Sequence, residues 1–254
     1  MISIALLFLI QGFTLESSFD VNASQFAMDQ IGHYYFIEGR TIEKRDERGN
    51  LLFKNSELDY GNIHSIDLTN PLQPIIFYKE QGKIAFLDNT LSLQGSIIDL
   101  FDYGFGQIEC MGGSRGDAYW LWDVSSTELV RVNRQFVRQS SSGNLSQMLG
   151  REIHPTQIQE SGNNLYVTDP AYGVMIFDIY GNYRSSIKLQ FDGYVQIENE
   201  KIVYTHQSQL KVIGSNKIDE MSYDLPKECG SKVVFFAKKL HSLHNKRMQI
   251  FVML

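Results

Sequence analysis

Side chains that could hold a hard cation stand singly along this chain, at Asp29, Asp67, Asn70, Glu109, Glu160, Glu198 and Asn199. A calcium-type site takes roughly six to eight oxygens, so several of these residues would have to converge from separate segments. None stands in a spacing that itself marks a ligand, and caps and solvated turns use the same residue types. Imidazole chemistry is offered by His33, His64, His154, His206, His241 and His244, of which only the last two lie close together. On a strand, a separation of three puts His241 and His244 on opposite faces, so they are expected at a strand and its following turn. The Gly-x-Ser-x-Gly spelling at Gly112–Gly116 is not followed by the helix that a nucleophile elbow needs, so it presents no serine nucleophile. The stretch Gly112-Gly113-Ser114-Arg115-Gly116 has the glycines of a phosphate cradle. It lacks the following Lys-Ser/Thr and a helix to bind the phosphate, so it reads as a flexible link between two strands. The pattern nominates no catalytic residue, no cofactor-binding residue and no metal ligand.

Bulk properties narrow the function classes. A formal charge of −6 argues against nonspecific nucleic-acid binding, which needs a basic surface. With 43% apolar residues the chain can bury a core. Two cysteines are too few for a disulfide framework or a zinc site. The run Ile2–Ile10 (ISIALLFLI) is too short to span a bilayer, which takes ~20 residues. With Gly12 and Thr14 after it, the run fits the apolar core of a secretory leader, expected over 1–14, although no Lys or Arg precedes it. The alternative is a buried N-terminal strand. Export would make the mature protein periplasmic or extracellular, and no other run approaches spanning length.

The elements that must position these residues recur with a period of about forty residues. The clearest copy, Asn163–Leu189, reads LYVTD, PAYG, VMIFD, IYGN, YRSSIKL: strand, turn, strand, turn, strand. In LYVTD the apolar side chains fall at every second place, as a sheet packed on one face requires. Second strands align at Tyr34–Ile37, Ile75–Tyr78, Tyr119–Trp122, Leu165–Thr168 and Ile202–Thr205. Third strands follow at Thr41–Arg45, Lys83–Leu87, Glu128–Val132, Val174–Phe177 and Gln209–Ile213. Asp46, Asp88, Asn133 and Asp178 open the next turns, where short polar side chains satisfy backbone groups. First strands are expected at Gln25–Asp29, Ile63–Leu68, Gln107–Met111, Gln157–Glu160 and Tyr194–Glu198, and outer strands at Leu51–Lys54 and Leu91–Ile97. The polar stretch Arg138–Gln147 reads as a linking loop, with one helical turn at Asn144–Leu149. The last copy has three strands, and Glu16–Val21 is free to supply its fourth. Joining the termini in one blade removes exposed sheet edges. The fold expected over 15–254 is thus a single all-β domain, a six-bladed propeller of four-stranded antiparallel blades. Counts of five or seven also fit the uneven blade lengths.

Ring geometry bears on the remaining residues. Cys110 and Cys229 would lie on opposite blades, and bridged cysteines need Cα atoms within ~7 Å, so they are expected not to be bonded. Trp120 and Trp122 would share one sheet face, with Tyr119 and Leu121 on the other, and fill the space between blades.

The phrases Gly162–Asp169 (GNNLYVTD), Val174–Asp178 (VMIFD) and Gly181-Asn182, led by Pro155, resemble the blade repeat of NHL and TolB-like six-bladed propellers. The whole chain, including Asn70–Leu91, is also similar to exported bacterial propellers found beside gliding and type IX secretion machinery. The second resemblance implies a non-catalytic, protein-binding component of a cell-envelope or secretion assembly, without a cofactor. Two alternatives stand beside it. Lactonase-like propellers hold calcium at the channel mouth, which would enlist the acids and amides named above at the ends of inner strands. A glycan- or peptide-binding propeller would expose aromatic side chains there.

Overall fold

A four-stranded meander with apolar side chains on both faces needs a neighbour on each side, and stacking in a closed circle supplies two to every copy. The computed structural model describes residues 12–214, 220–230 and 232–253. Within them lie six four-stranded antiparallel sheets. Blade one comprises Gln25–Met28, Tyr34–Glu38, Thr41–Arg45 and Leu51–Asn55. Blade two has Ser65–Asp67, Ile75–Tyr78, Lys83–Phe86 and Ile98–Asp99, and blade three Ile108–Ser114, Ala118–Asp123, Glu128–Val132 and Arg138–Ser141. Blade four has Gln157–Ser161, Asn164–Asp169, Gly173–Asp178 and Tyr183–Ile187, and blade five Gln196–Glu198, Lys201–His206, Gln209–Gly214 and Glu220–Asp224. Blade six takes Lys232–Phe236, Lys239–His244 and Arg247–Met253 from the end of the chain and Phe13–Asp20 from its beginning.

That last pairing closes the ring. Phe13 opposes Met253 and Asp20 opposes Arg247, with a register shift between Leu15 and Ser17. Lys239 pairs with Glu16 at 2.6 Å, and Arg247 donates to Ser18. The expected leader run Ile2–Ile10 lies outside the described residues, while Phe13 and Thr14 begin this strand.

Six apolar clusters sit one between each pair of neighbouring blades. The second strands show how the sequence builds them. Leu165 and Val167 pack toward blade three, whereas Tyr166 packs toward blade five. Trp120 and Trp122 face blade four, while Tyr119 and Leu121 face blade two. Alternation therefore sorts side chains between two neighbours, and the expectation of one buried face is corrected. At the closing seam, Tyr34 and Phe36 meet Met248 and Ile250, and the Tyr34 hydroxyl lies 2.8 Å from His241 Nδ1.

The polar turn residues act as expected. Asp46, Asp88, Asn133 and Asp178 each accept from the backbone N–H groups two and four residues on, at 2.8–3.0 Å. Asn144 caps the short helix Leu145–Leu149 through Gln147 N–H at 2.7 Å.

Three local expectations are corrected. Leu91–Ile97 is not a strand: the Asp88 turn sends Leu91 into the core, Leu93 makes a single bridge to Leu87, and the outer strand is Ile98–Asp99. Arg138–Ser141 is the outer strand of blade three rather than a loop, polar because its faces are wet. Gly112, Gly113 and Ser114 continue the inner strand instead of linking it flexibly to the next. A Cβ on Gly112 would lie 2.2 Å from Ile158 O, so this glycine allows the inner strands of blades three and four to touch.

Candidate functional site

First strands are the inner edges of their blades, and an edge strand carries unpaired backbone groups. In a ring these edges face the axis. They enclose a channel cavity of about 740 Å³ that every blade lines. The first strands run in one direction, because contacts between neighbours advance together: Cys110 reaches Pro155 O while Ser114 reaches Glu160.

Glutamine side chains bridge the inner edges. Gln159 donates to Val195 O at 2.7 Å and accepts from Ile197 N–H at 3.1 Å. Gln157 accepts from Val195 N–H, and Gln196 both donates to and accepts from the backbone of Phe235, at 2.8 and 3.0 Å. A primary amide carries a donor and an acceptor, so it can stand in for a missing strand partner. Between blades two and three a carboxylate does half of this work, with Asp67 accepting from Gly113 N–H. Replacing Gln196 by Leu leaves two backbone groups of Phe235 unpaired, and each such loss costs roughly 1–3 kcal/mol. We expect the urea midpoint to fall accordingly. An unchanged midpoint would mean that water replaces the amide without loss.

Asp29, Asp67, Glu109, Glu160 and Glu198 lie in or beside the inner strands, Asn70 and Asn199 in the turns beyond them, and most of their oxygens serve the protein. Asp29 accepts from Ile31 N–H, His33 N–H, the His33 ring and the Tyr35 hydroxyl. Burial alone would raise the Glu160 carboxyl pKa, but hydrogen bonds from Ser114, Arg115 and Trp120 outweigh it and hold the group below the usual carboxylate range. Glu109 pairs with Lys79, and Asn70 accepts from Leu72 N–H in a turn. Asn199 occupies a left-handed turn position, and Glu198 has one long contact, to Gln196 at 3.4 Å. Among the described residues, no group of three His, Cys, Asp or Glu side chains comes together to hold a metal.

The histidines are dispersed. His64 lines the channel, and His33 sits beside Asp29. His154 and Glu152 lie on the surface, and His206 approaches Asp192 at 3.8 Å. His241 and His244 share the second strand of blade six, so the expectation that one would occupy the following turn is corrected. Burial pushes the His241 imidazole down to about 4, which keeps it neutral against Tyr34 at pH 7. Cys110 and Cys229 are both free, Cys110 lying on the channel wall.

Two channel groups were not singled out by sequence reasoning. Tyr194 and Lys232 both line the cavity. Tyr194 keeps 37% of its surface accessible, yet the channel wall surrounds it. This burial, followed by the nearby Asp67 charge, raises its hydroxyl to about 12. Burial also pushes the Lys232 amine down. Lys232 begins the first strand of blade six, and Tyr194 lies two residues before that of blade five.

The closed ring of four-stranded sheets around this channel defines the chain as a six-bladed β-propeller. Solved structures share that architecture. A streptogramin B lyase aligns with TM-score 0.60 at 11% identity, covering 90% of this chain and 78% of that one. The Pan2 WD40 domain of Neurospora crassa gives 0.61 at 10% identity, over 92% and 78%. Virginiamycin B lyase from Staphylococcus aureus gives 0.57 at 9% identity, over 90% and 80%. Likeness at this level is likeness of fold. No protein-family model matches the chain, and no curated protein matches its sequence. Among the described residues, no helix is long and apolar enough to cross a membrane.

Proposed function

We propose that this chain is a non-catalytic binding propeller, exported to the periplasm, that captures an extended segment of a partner protein on the outer edge of blade one. One observation carries this reading. The outer strand of blade one, Leu51–Asn55, exposes Leu51, Leu52 and Phe53 in succession. The outer strands of blades three and four, by contrast, carry Arg-Gln-Ser-Ser and Tyr-Arg-Ser-Ser-Ile. Natural sheets blunt their free edges with polar or charged residues, and an apolar free edge invites a further strand. A partner strand would gain main-chain hydrogen bonds along the edge. Its alternate side chains would cover Leu51 and Phe53 on one face and Leu52 on the other.

Export rests on the apolar run Ile2–Ile10 of the leader expected over 1–14; the closing strand begins at Phe13, so a cut would have to precede it. A partner within an outer-membrane or secretion assembly rests on the resemblance of the whole chain, Asn70–Leu91 included, to envelope-associated propellers. A calcium-dependent hydrolase would instead require Asp29 and Glu160 to give up their protein donors for a metal.

The docking edge can be tested with a photoreactive amino acid at position 52, irradiated in cells. The expected product is one discrete adduct with another protein. It should weaken roughly tenfold when Phe53→Lys is added, the equivalent of ~1.4 kcal/mol. An adduct at twice the chain mass would show a second copy on the edge and overturn the reading. So would a pattern matching that of the same probe at Gln139, on the polar outer strand of blade three.

A further inference from the structure

The two ends of the channel differ in charge. Asp29, Glu160 and Glu198 stand at or just beyond the C-terminal ends of the first strands, at one mouth. Gln25, His64, Tyr194 and Lys232 stand at or just before their N-terminal ends, at the other. The contacts respect this order: Lys232 Nζ reaches Gln25 Oε1 at 3.5 Å, while Phe236 lies against Gly32.

Among the described residues lining the cavity, Lys232 is the one lysine or arginine. Its polar contact is a long one to a neutral amide, and among the described residues no carboxylate lies within ion-pair range of it. Three carboxylates of the channel are answered elsewhere. Asp29 is held by His33 and Tyr35, Asp67 by Thr69 N–H and Gly113 N–H, and Glu160 by Ser114, Arg115 and Trp120. Lys79, near His64, is already paired with Glu109. A half-buried ammonium without a counter-ion is costly unless an anion joins it.

We propose that the Lys232 end of the channel binds a small monoanionic ligand through its carboxylate. The ammonium of Lys232 supplies an unanswered positive charge. The Gln25 amide and the Tyr194 hydroxyl are further donors lining the same cavity. Neighbouring groups support this assignment of roles. Burial, then the Lys79 charge, lowers the His64 pKa, so the imidazole adds no second cation at pH 7. Tyr194 stays protonated and can donate. One cation facing a channel that also holds Asp67 favours a single negative charge over a dianion such as phosphate. Val233 and Ile66 on the cavity wall leave apolar surface for a short organic tail. The site is independent of the blade-one edge, so either proposal can fail alone.

The test is a titration of the intact protein with sodium acetate and sodium benzoate, followed by backbone amide shifts at matched ionic strength. Sodium chloride, acetamide and inorganic phosphate are the comparison solutes. We expect saturable shifts at Gln25, Tyr194 and Lys232 with at least one carboxylate, none with acetamide, and weaker binding of phosphate. Lys232→Met should weaken binding roughly tenfold or more, the effect of losing a charged hydrogen bond. Lys232→Arg should keep it within about threefold, because the charge remains. Shifts that merely follow chloride, or that persist in Lys232→Met, would overturn the site. So would phosphate binding more tightly than both carboxylates, or the absence of saturation with either. Should Lys232→Met fail to fold, the arginine variant and the acetamide comparison still decide.

Discussion

Deleting residues 1–20 is expected to abolish the cooperative unfolding of this protein and to drive it into aggregates. The deletion removes the outer strand of blade six, which pairs along Arg247–Met253. Phe13 leaves its edge-on contacts with Tyr223 and Phe235, and Phe19 leaves Tyr34 and Phe36. Two inter-blade clusters lose packing at once, because Phe13 borders the seam between blades five and six and Phe19 the seam between blades six and one. The strand left bare carries Met248, Ile250 and Phe251, all buried in the intact ring. An apolar free edge of that length templates association. Sedimentation velocity should show large species, and a guanidinium titration should lose its single sharp transition. A monomeric truncated chain with an intact transition would refute closure by the N-terminal strand. Phe19→Ala is the milder form, with an expected loss of about 3 kcal/mol for a partly exposed ring.

Gly112→Ala should be strongly destabilising, because the added methyl group meets the backbone of the next blade. The new Cβ would meet Ile158 O at 2.2 Å, and that obstacle is backbone, which cannot rotate aside. Separating the strands stretches the Ser114–Glu160 hydrogen bond at 2.6 Å and loosens the cluster that buries Trp120 and Trp122. Overpacking of this kind costs typically ~1–3 kcal/mol, and a rigid backbone obstacle puts the expected loss at about 3 kcal/mol or more. Gly106→Ala is the comparison. Its Cβ would meet the Ser125 hydroxyl at 2.8 Å, a side chain free to turn, so a loss under about 1 kcal/mol is expected. Equal urea midpoints for the two variants would show that the inner strands yield easily.

Local pattern carried most of the architecture into view. The second strands announce themselves because they are buried on both faces and so rich in aromatic and branched residues, as in Tyr34–Ile37 and Tyr119–Trp122. Turn residues such as Asp46 and Asp178 were legible for a chemical reason: few side chains can satisfy two N–H groups of a tight turn. Outer strands were harder. Arg138–Ser141 is polar because it is wet, and nothing local separates it from a loop. Leu91 looks like a strand residue but enters the core from a turn with φ of 67°. The channel was the least legible part. Its character depends on which first-strand residues meet across blades, and that register is fixed by contacts such as Gln196 with Phe235, some forty residues apart in sequence. The glycines at Gly112 and Gly113 read as flexibility when considered alone, and as close approach once Ile158 stands beside them.

The sorting of odd and even side chains between two neighbours limits how this molecule can change. Tyr35 and Ile37 are shaped to one adjoining sheet, Tyr34 and Phe36 to another. A fan transplanted from a different ring would have to suit both flanking surfaces simultaneously, so wholesale swapping of units is closed to it. Change must instead arrive as matched substitutions across a seam, or be confined to the wet perimeter and the axial lining, where a side chain answers to no second surface.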